Sequence, residues 1–463
     1  MWGNYHVACV GYPAMDRESL VNYSAKCSMN HPLSDPDNPL ELFRKSFMAD
    51  DAASVKELFQ RFPAIKARIN EPVPGTDDFL ITLAKSPAMV DVLIEAGADL
   101  NTKSTWWAGG FGLLHSATPE LARHAIKRGA VVDIHAAARL GMAERVKEIV
   151  LADPVSVHAR GGDGQTPLHF ASTVEIAAFL LDHGADIDAR DIDHESTAAQ
   201  YMIADRTKVA RYLAERGAAT DLFLAAALGD RPLIDRHLAD NPESIQIRVS
   251  EEFFPMVGGK AGGTIYQWTL GWHVSPHQVA RKFGHMACLD HLMRLSPAEI
   301  RLVNACWLHK EPLVRQLLQE NPGLEKTLSP SDLRQVAHAA RNDDAEAVRL
   351  MLDCGWPVEV RGQHGGTPLH WAAWRGNSSM VRTVLGHGPP LESEDHDYHS
   401  TPVGWAIHAS ENGWDQATGD YAEVLRLLFQ SGAKHPEQPG GTASVRALLQ
   451  AAADTAQARR DQP

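Results

Sequence analysis

Apolar residues recur along this chain at intervals of three and four, in stretches of about ten residues that glycine or proline then cuts off. One such stretch runs to Gly388 through Met380, Val381, Val384 and Leu385; another passes Leu180-Leu181 and ends at Gly184-Ala185-Asp186. Glycines at 97, 129, 184, 217, 355, 388 and 432 mark ends of this kind, and the intervals 184 to 217 and 355 to 388 are both 33 residues. A second kind of stretch ends at Phe62-Pro63, Asp153-Pro154, Asn241-Pro242, Ser296-Pro297 and Asn321-Pro322, because proline just past a helix forbids its continuation. The pattern predicts an all-α chain of about twelve short helix pairs between residues 39 and 435. One pair cannot bury its apolar face alone, so the pairs must stack.

Thr367-Pro368-Leu369-His370-Trp371-Ala372-Ala373 opens one unit, and Thr166-Pro167-Leu168-His169-Phe170-Ala171 opens another. Each residue type has a mechanical task. Thr166 and Thr367 stand where a helix begins, so the hydroxyl is expected to accept from an orphan N–H of the first turn. Pro167 and Pro368 occupy the first helical position, where a missing N–H costs nothing. The pair Ala372-Ala373 lets a neighbouring helix approach, and Gly184 and Gly388 close second helices in the left-handed region. Some first helices read as trimmed, after Phe170-Ala171, around Leu114-His115 and at Thr197-Ala198-Ala199-Gln200. T-P-L-H-x-A at this period resembles the ankyrin repeat, which implies an ankyrin-repeat solenoid, several of its units degenerate. Locally, Gly263–Gly271 and Thr401–His408 resemble segments of uncharacterised bacterial ankyrin-repeat proteins, from which no activity carries over.

A solenoid grows by addition, so 463 residues need no single large core. With 44 Lys and Arg against 58 Asp and Glu, the formal charge of −14 argues against nucleic acid or an anionic membrane as the main partner. Five cysteines, an odd number without C-x-x-C spacing, predict reduced thiols in a cytoplasm; a monomer is expected. No stretch approaches the length of a membrane span. The repeat leaves residues 1–38 as an irregular leader, with Met15 an alternative start to Met1. It splits into 39–249 and 269–435 about an insertion at 250–268, and ends in a linker and Ala-rich tail at 436–463 that is expected to cap the last repeat.

Two interruptions stand out. Gly258-Gly259-Lys260-Ala261-Gly262-Gly263 invites a phosphate-loop reading, but no G-x-x-x-x-G-K-[ST] string exists, so a glycine-hinged hairpin extending a finger is expected. Tyr266, Trp268 and Trp272 then pack beneath it. The second interruption, Ser410 to Tyr421, carries Trp414 and separates glycines 388 and 432 by 44 residues. Inserted segments of repeat proteins often form the contact surface, although Trp414 also suits a lid folded onto Trp405.

The 23 histidines do not spell a metal site. His115, His169 and His370 belong to the repeat and resemble the family's hydrogen-bonding links between units. Glu394–His399 is a polar finger tip without zinc or calcium spacing. Asp193-His194-Glu195-Ser196 has only the composition of a triad, and a hydrogen-bonded turn explains it. No metal and no cofactor are expected.

The resemblance also implies that the residues after the small pair of each first helix line a concave groove. Those positions hold Arg139 and Leu140, Lys282 and Phe283, Trp307 and Leu308, Arg341 and Asn342, Trp374 and Arg375, and His408; Trp414 joins them from the insertion. Aromatic residues and arginine are enriched in binding hot spots. The expected function is therefore a non-catalytic scaffold for a protein or peptide. The alternative is a small-molecule or enzymatic pocket lined by Tyr266, Trp268, His273 and Trp405 together with Trp374 and His408.

Overall fold

The computed structural model describes residues 38–436 and 439–460. The leader through residue 37, with Cys9, Cys27 and Met15, lies outside the described residues, as do 437 and 438 of the linker. Among the described residues the chain is helix and turn, with isolated β-bridges pairing Lys103 with Gly112 and Arg190 with Thr197. It divides into two compact units. The first holds the described residues up to Leu228 together with Val249–Gly271; the second holds Gly229–Arg248 and the chain from Trp272. The helix Arg231–Asp240, on the N-terminal side of the sequence-based boundary, thus belongs to the second unit, where Asp235 pairs with His291.

In the first unit, helices Ile134–Arg139 and Ala143–Ala152, Pro167–Phe170 and Val174–Asp182, and Ala198–Met202 and Thr207–Glu215 form successive antiparallel pairs. In the second, Gln335–Arg341 with Ala345–Asp353, Pro368–Trp374 with Ser378–Leu385, and Pro402–Asn412 with Tyr421–Gln430 stack first helix on first helix and second on second. The small pairs explain the approach: Ala339, Ala340, Ala372 and Ala373 are wholly buried. Gly184 and Gly388 close their helices at φ 91° and 66°, a region other residues enter only at a cost. The trimmed first helices are real, reduced to Leu113–His115, Pro167–Phe170 and Ala198–Met202. Where proline ends a second helix it also starts the next turn, as in Pro63–Lys66, Pro154–His158 and Pro242–Gln246.

One local expectation gains a partner, and one needs correction. Thr166 and Thr367 form capping boxes with the histidine three residues on, the threonine side chain facing that residue's N–H and the imidazole taking the threonine's own N–H. His370 Nδ1 accepts from the Thr367 N–H at 3.2 Å and lies 2.8 Å from its Oγ1, while Nε2 donates to the Ser400 carbonyl at 3.1 Å in the next finger. His169 repeats this arrangement with Thr166 and Ser196. The histidines therefore tie neighbouring repeats together as neutral rings; burial pushes both down to about 4.

The glycine-rich insertion is not a hairpin. Its turns lead into a short helix, Ile265–Thr269, capped by Thr264. Glu195 accepts from the Val257 and Gly258 N–H groups, and Asp193 accepts from that of Gly262. The Gly258 and Gly262 amides thus hold this chain's own carboxylates. At the other end, Val445 and Leu449 of the helix Ala443–Arg460 are buried beside Tyr421–Gln430.

Candidate functional site

The second unit gathers four tryptophans and two arginines at the ends of its first helices. Arg341, Trp374 and His408 occupy equivalent positions in three successive repeats, each one or two residues beyond a buried alanine, which directs them out of the packed layer. The Arg341 guanidinium lies 5.5 Å from the Trp272 and Trp371 ring centroids and 5.0 Å from that of Trp414. Arg375 sits 4.6 Å from the Trp414 ring, pairs with Asp415 at 2.8 Å, and donates to the Arg341 carbonyl from Nε and Nη2. Each guanidinium plane faces π-electron density, and the arginines fix the indoles as much as the indoles fix them.

Trp414 folds onto the face of Trp371, with centroids 5.9 Å apart and 19° between the rings, and meets Trp374 edge-on at 5.8 Å. It is a half-buried lid, but over Trp371 and Trp374 and not over Trp405. Trp374 in turn stacks on His408 at 6.0 Å, and His408 is exposed. Trp371 Nε1 and Trp374 Nε1 are buried and have no hydrogen-bond partner among the described residues.

Other expected site residues fall elsewhere. Trp307 and Leu308 are only 4% and 3% exposed. Trp307 lies in the core shared with the pair starting at Gln335, and Leu308 is buried beside it in sequence, which corrects the groove assignment, since neither offers a surface. Lys282 is exposed and Phe283 half-buried, two repeats before Arg341. Trp405 is also buried; its Nε1 donates to Asp395 at 2.8 Å and its ring packs edge-on against Trp371, so it supports the finger and lines no opening. Tyr266 is fully buried between Phe223 and Phe254, with its hydroxyl on Asp221, which likewise removes it from a pocket wall. Trp268 is 50% exposed and donates to the Gly262 carbonyl. Tyr266 and Trp268 belong to the first unit, and His273, Trp374, Trp405 and His408 to the second.

His273 stacks on His338, with ring centroids 3.3 Å apart. Burial, together with Arg341 and Arg248, pushes His273 down to about 3, so both rings stay neutral. The participation of Trp272, Trp371 and Asp415 was not foreseen. Trp371 fills the variable position of the T-P-L-H-x-A string, and its bulk there was the available signal.

Comparison with known proteins fits this architecture. A family model described as ankyrin repeats (3 copies) matches residues 134–239, 277–395 and 336–438, more than half of the chain. The chain belongs to the ankyrin-repeat family. It is 29% identical over 154 residues to the mouse ankyrin repeat and SAM domain-containing protein 6, a match covering 32% of this chain and 17% of that protein. Among solved structures, the human ASB11 ankyrin repeat domain is 16% identical, covering 65% of this chain and 98% of that one, with a TM-score of 0.27. No helix among the described residues is long and apolar enough to cross a membrane.

Proposed function

We propose that this protein is a non-catalytic interaction module and that its second unit holds a protein or peptide on the surface formed by Arg341, Trp374, Arg375, His408 and Trp414, with Phe283 and Lys282 extending it. Ankyrin repeats are in general protein-interaction modules, and function must still be argued from the site. The observation that carries the reading is the alignment of Arg341, Trp374 and His408 in consecutive repeats, braced by cation–π contacts and only partly covered. Aromatic and arginine side chains already held in place lose little freedom on binding, so their contact area converts well into affinity.

A photo-crosslinking amino acid at position 408, compared with one at the exposed Leu295 on a second helix, tests the proposal in the source cells. A discrete protein adduct formed from 408 and abolished by Trp374→Ala supports it. Equal adducts from both positions would count against this face. The buried, unpartnered N–H groups of Trp371 and Trp374 favour a second reading, in which an acceptor-bearing small molecule binds there. Saturable quenching of tryptophan fluorescence by a metabolite, with no protein adduct from 408, would select it.

A further inference from the structure

The two finger tips 191–197 and 395–401 are built to one plan. Asp191 accepts the N–H groups of His194 and Ser196 and the Tyr201 hydroxyl; Asp395 accepts those of Asp397, Tyr398 and Ser400 and the Trp405 indole. In the later copy the finger is tied to the preceding turn by a hydrogen bond between His364 Nδ1 and Asp397 at 2.7 Å. The positions corresponding to His364, Asp397 and Tyr398 hold Asp163, Asp193 and His194 in the earlier copy. There an aspartate stands where the later copy has the histidine of the preceding turn, so carboxylate faces carboxylate where the later copy sets an imidazole against one.

This earlier tip is well buried, with Asp163, Asp193 and His194 exposed by 9%, 5% and 4%. Like charges in such a place are costly unless something compensates them. The nearby arginines are committed to main chain: Arg160 donates to the Gly164 and Arg190 carbonyls, and Arg190 to that of Glu195.

The imidazole supplies an independent sign. His194 Nδ1 lies 2.8 Å from the Gly263 carbonyl, which can only accept, so that nitrogen carries the proton. Nε2 stands 3.7 Å from Asp193 Oδ2 and 4.0 Å from Asp163 Oδ2, beyond hydrogen-bond reach of either. A buried ring held by one nitrogen on a backbone carbonyl, with the other facing two carboxylates, is oriented as metal-bound histidines are. The three ligand atoms lie within 4.8 Å of one another. A four-coordinate zinc with bonds of about 2.0 Å spaces its ligand atoms about 3.3 Å apart, so a small closure completes the site. Asp193 is steadied by the Gly262 N–H on its other oxygen, Oδ1, and the Asp163 carboxylate by the Gln165 amide at 3.4 Å.

We propose that Asp163, Asp193 and His194 bind one divalent transition-metal ion of the zinc class, which staples the finger 191–197 to the preceding turn and leaves a fourth position for water or another ligand. Two carboxylates and a divalent cation cancel in charge, and the imidazole favours zinc over magnesium or calcium.

The full chain is stripped with a chelator, equilibrated with zinc chloride at pH 7.5, freed of excess metal, and assayed for zinc content and melting temperature. One zinc per chain and a higher melting temperature are expected. Asp163→Asn keeps the shape but removes one charge; it should melt above the stripped wild type, retain its circular dichroism and bind no zinc. His194→Gln should also lose the metal. Zinc absent from the wild type, or retained by both variants, overturns the site. X-ray absorption of the zinc-loaded wild type needs no variant: a nitrogen and oxygen shell near about 2.0 Å supports the assignment, and a sulfur-containing or wholly imidazole shell overturns it.

Discussion

Arg375 and Asp415 meet at 2.8 Å across the turn that interrupts the last repeat, and the same guanidinium covers the Trp414 ring. The inserted residues are therefore clamped to the repeat before them. Arg375→Ala removes the ion pair, the cation–π contact and both donors to the Arg341 carbonyl. It should cost about 2–3 kcal/mol and release Trp414. Chemical denaturation measures the loss, and a red-shifted, more quenchable tryptophan emission before global unfolding reports the release.

Asp395 takes three backbone N–H groups and the Trp405 indole on one buried carboxylate. Asp395→Ala strands all four donors, with an expected cost of about 3 kcal/mol or more, whereas Asp395→Asn keeps part of the set and should cost less. Hydrogen exchange of the amides at 397, 398 and 400 should accelerate in the alanine variant. Unchanged protection there would show the turn to be held by other contacts.

Trp307 is core, and its indole N–H has no hydrogen-bond partner among the described residues. Trp307→Ala should therefore cost about 3–5 kcal/mol and Trp307→Phe distinctly less, since phenylalanine fills much of the space and strands no polar atom. Partner adducts from position 408 should persist with Trp307→Phe. Their loss in a fully folded variant would return Trp307 to the binding surface.

The links made by His169 and His370 give the fold an acid-sensitive step. Both titrate near 4 when folded, below the value of about 6.5 for an unperturbed histidine. Between these values the unfolded chain binds more protons, so stability falls as pH drops from about 6.5 towards 4, by up to about 3 kcal/mol for each. Urea midpoints across this window should fall less steeply for His370→Gln than for wild type, even though the variant starts from a lower stability at pH 7. An unaltered slope would mean that His370 does not set it.

Much of the architecture was legible because it depends on short-range chemistry. Proline at a first helical turn, glycine at φ 91° after Asp182-His183, and paired alanines facing a neighbour act within a few residues of where they stand. The same locality exposed the trimmed helices near Leu114 and Phe170. It failed at Gly258–Gly263, where the partners of the Gly258 and Gly262 amides lie over sixty residues earlier in Glu195 and Asp193.

Sequence alone determined the helix-pair repeat and the family, since both follow from period and from residue types at fixed offsets. Tertiary structure decided which aromatic residues are surface and which are core. Trp307 and Trp374 hold similar positions in their units, yet one is enclosed and the other half-open, because that depends on what the adjoining repeats pack against each ring. Only the folded chain brings Asp163 opposite Asp193 and His194, thirty residues on, the juxtaposition on which the proposed metal site rests.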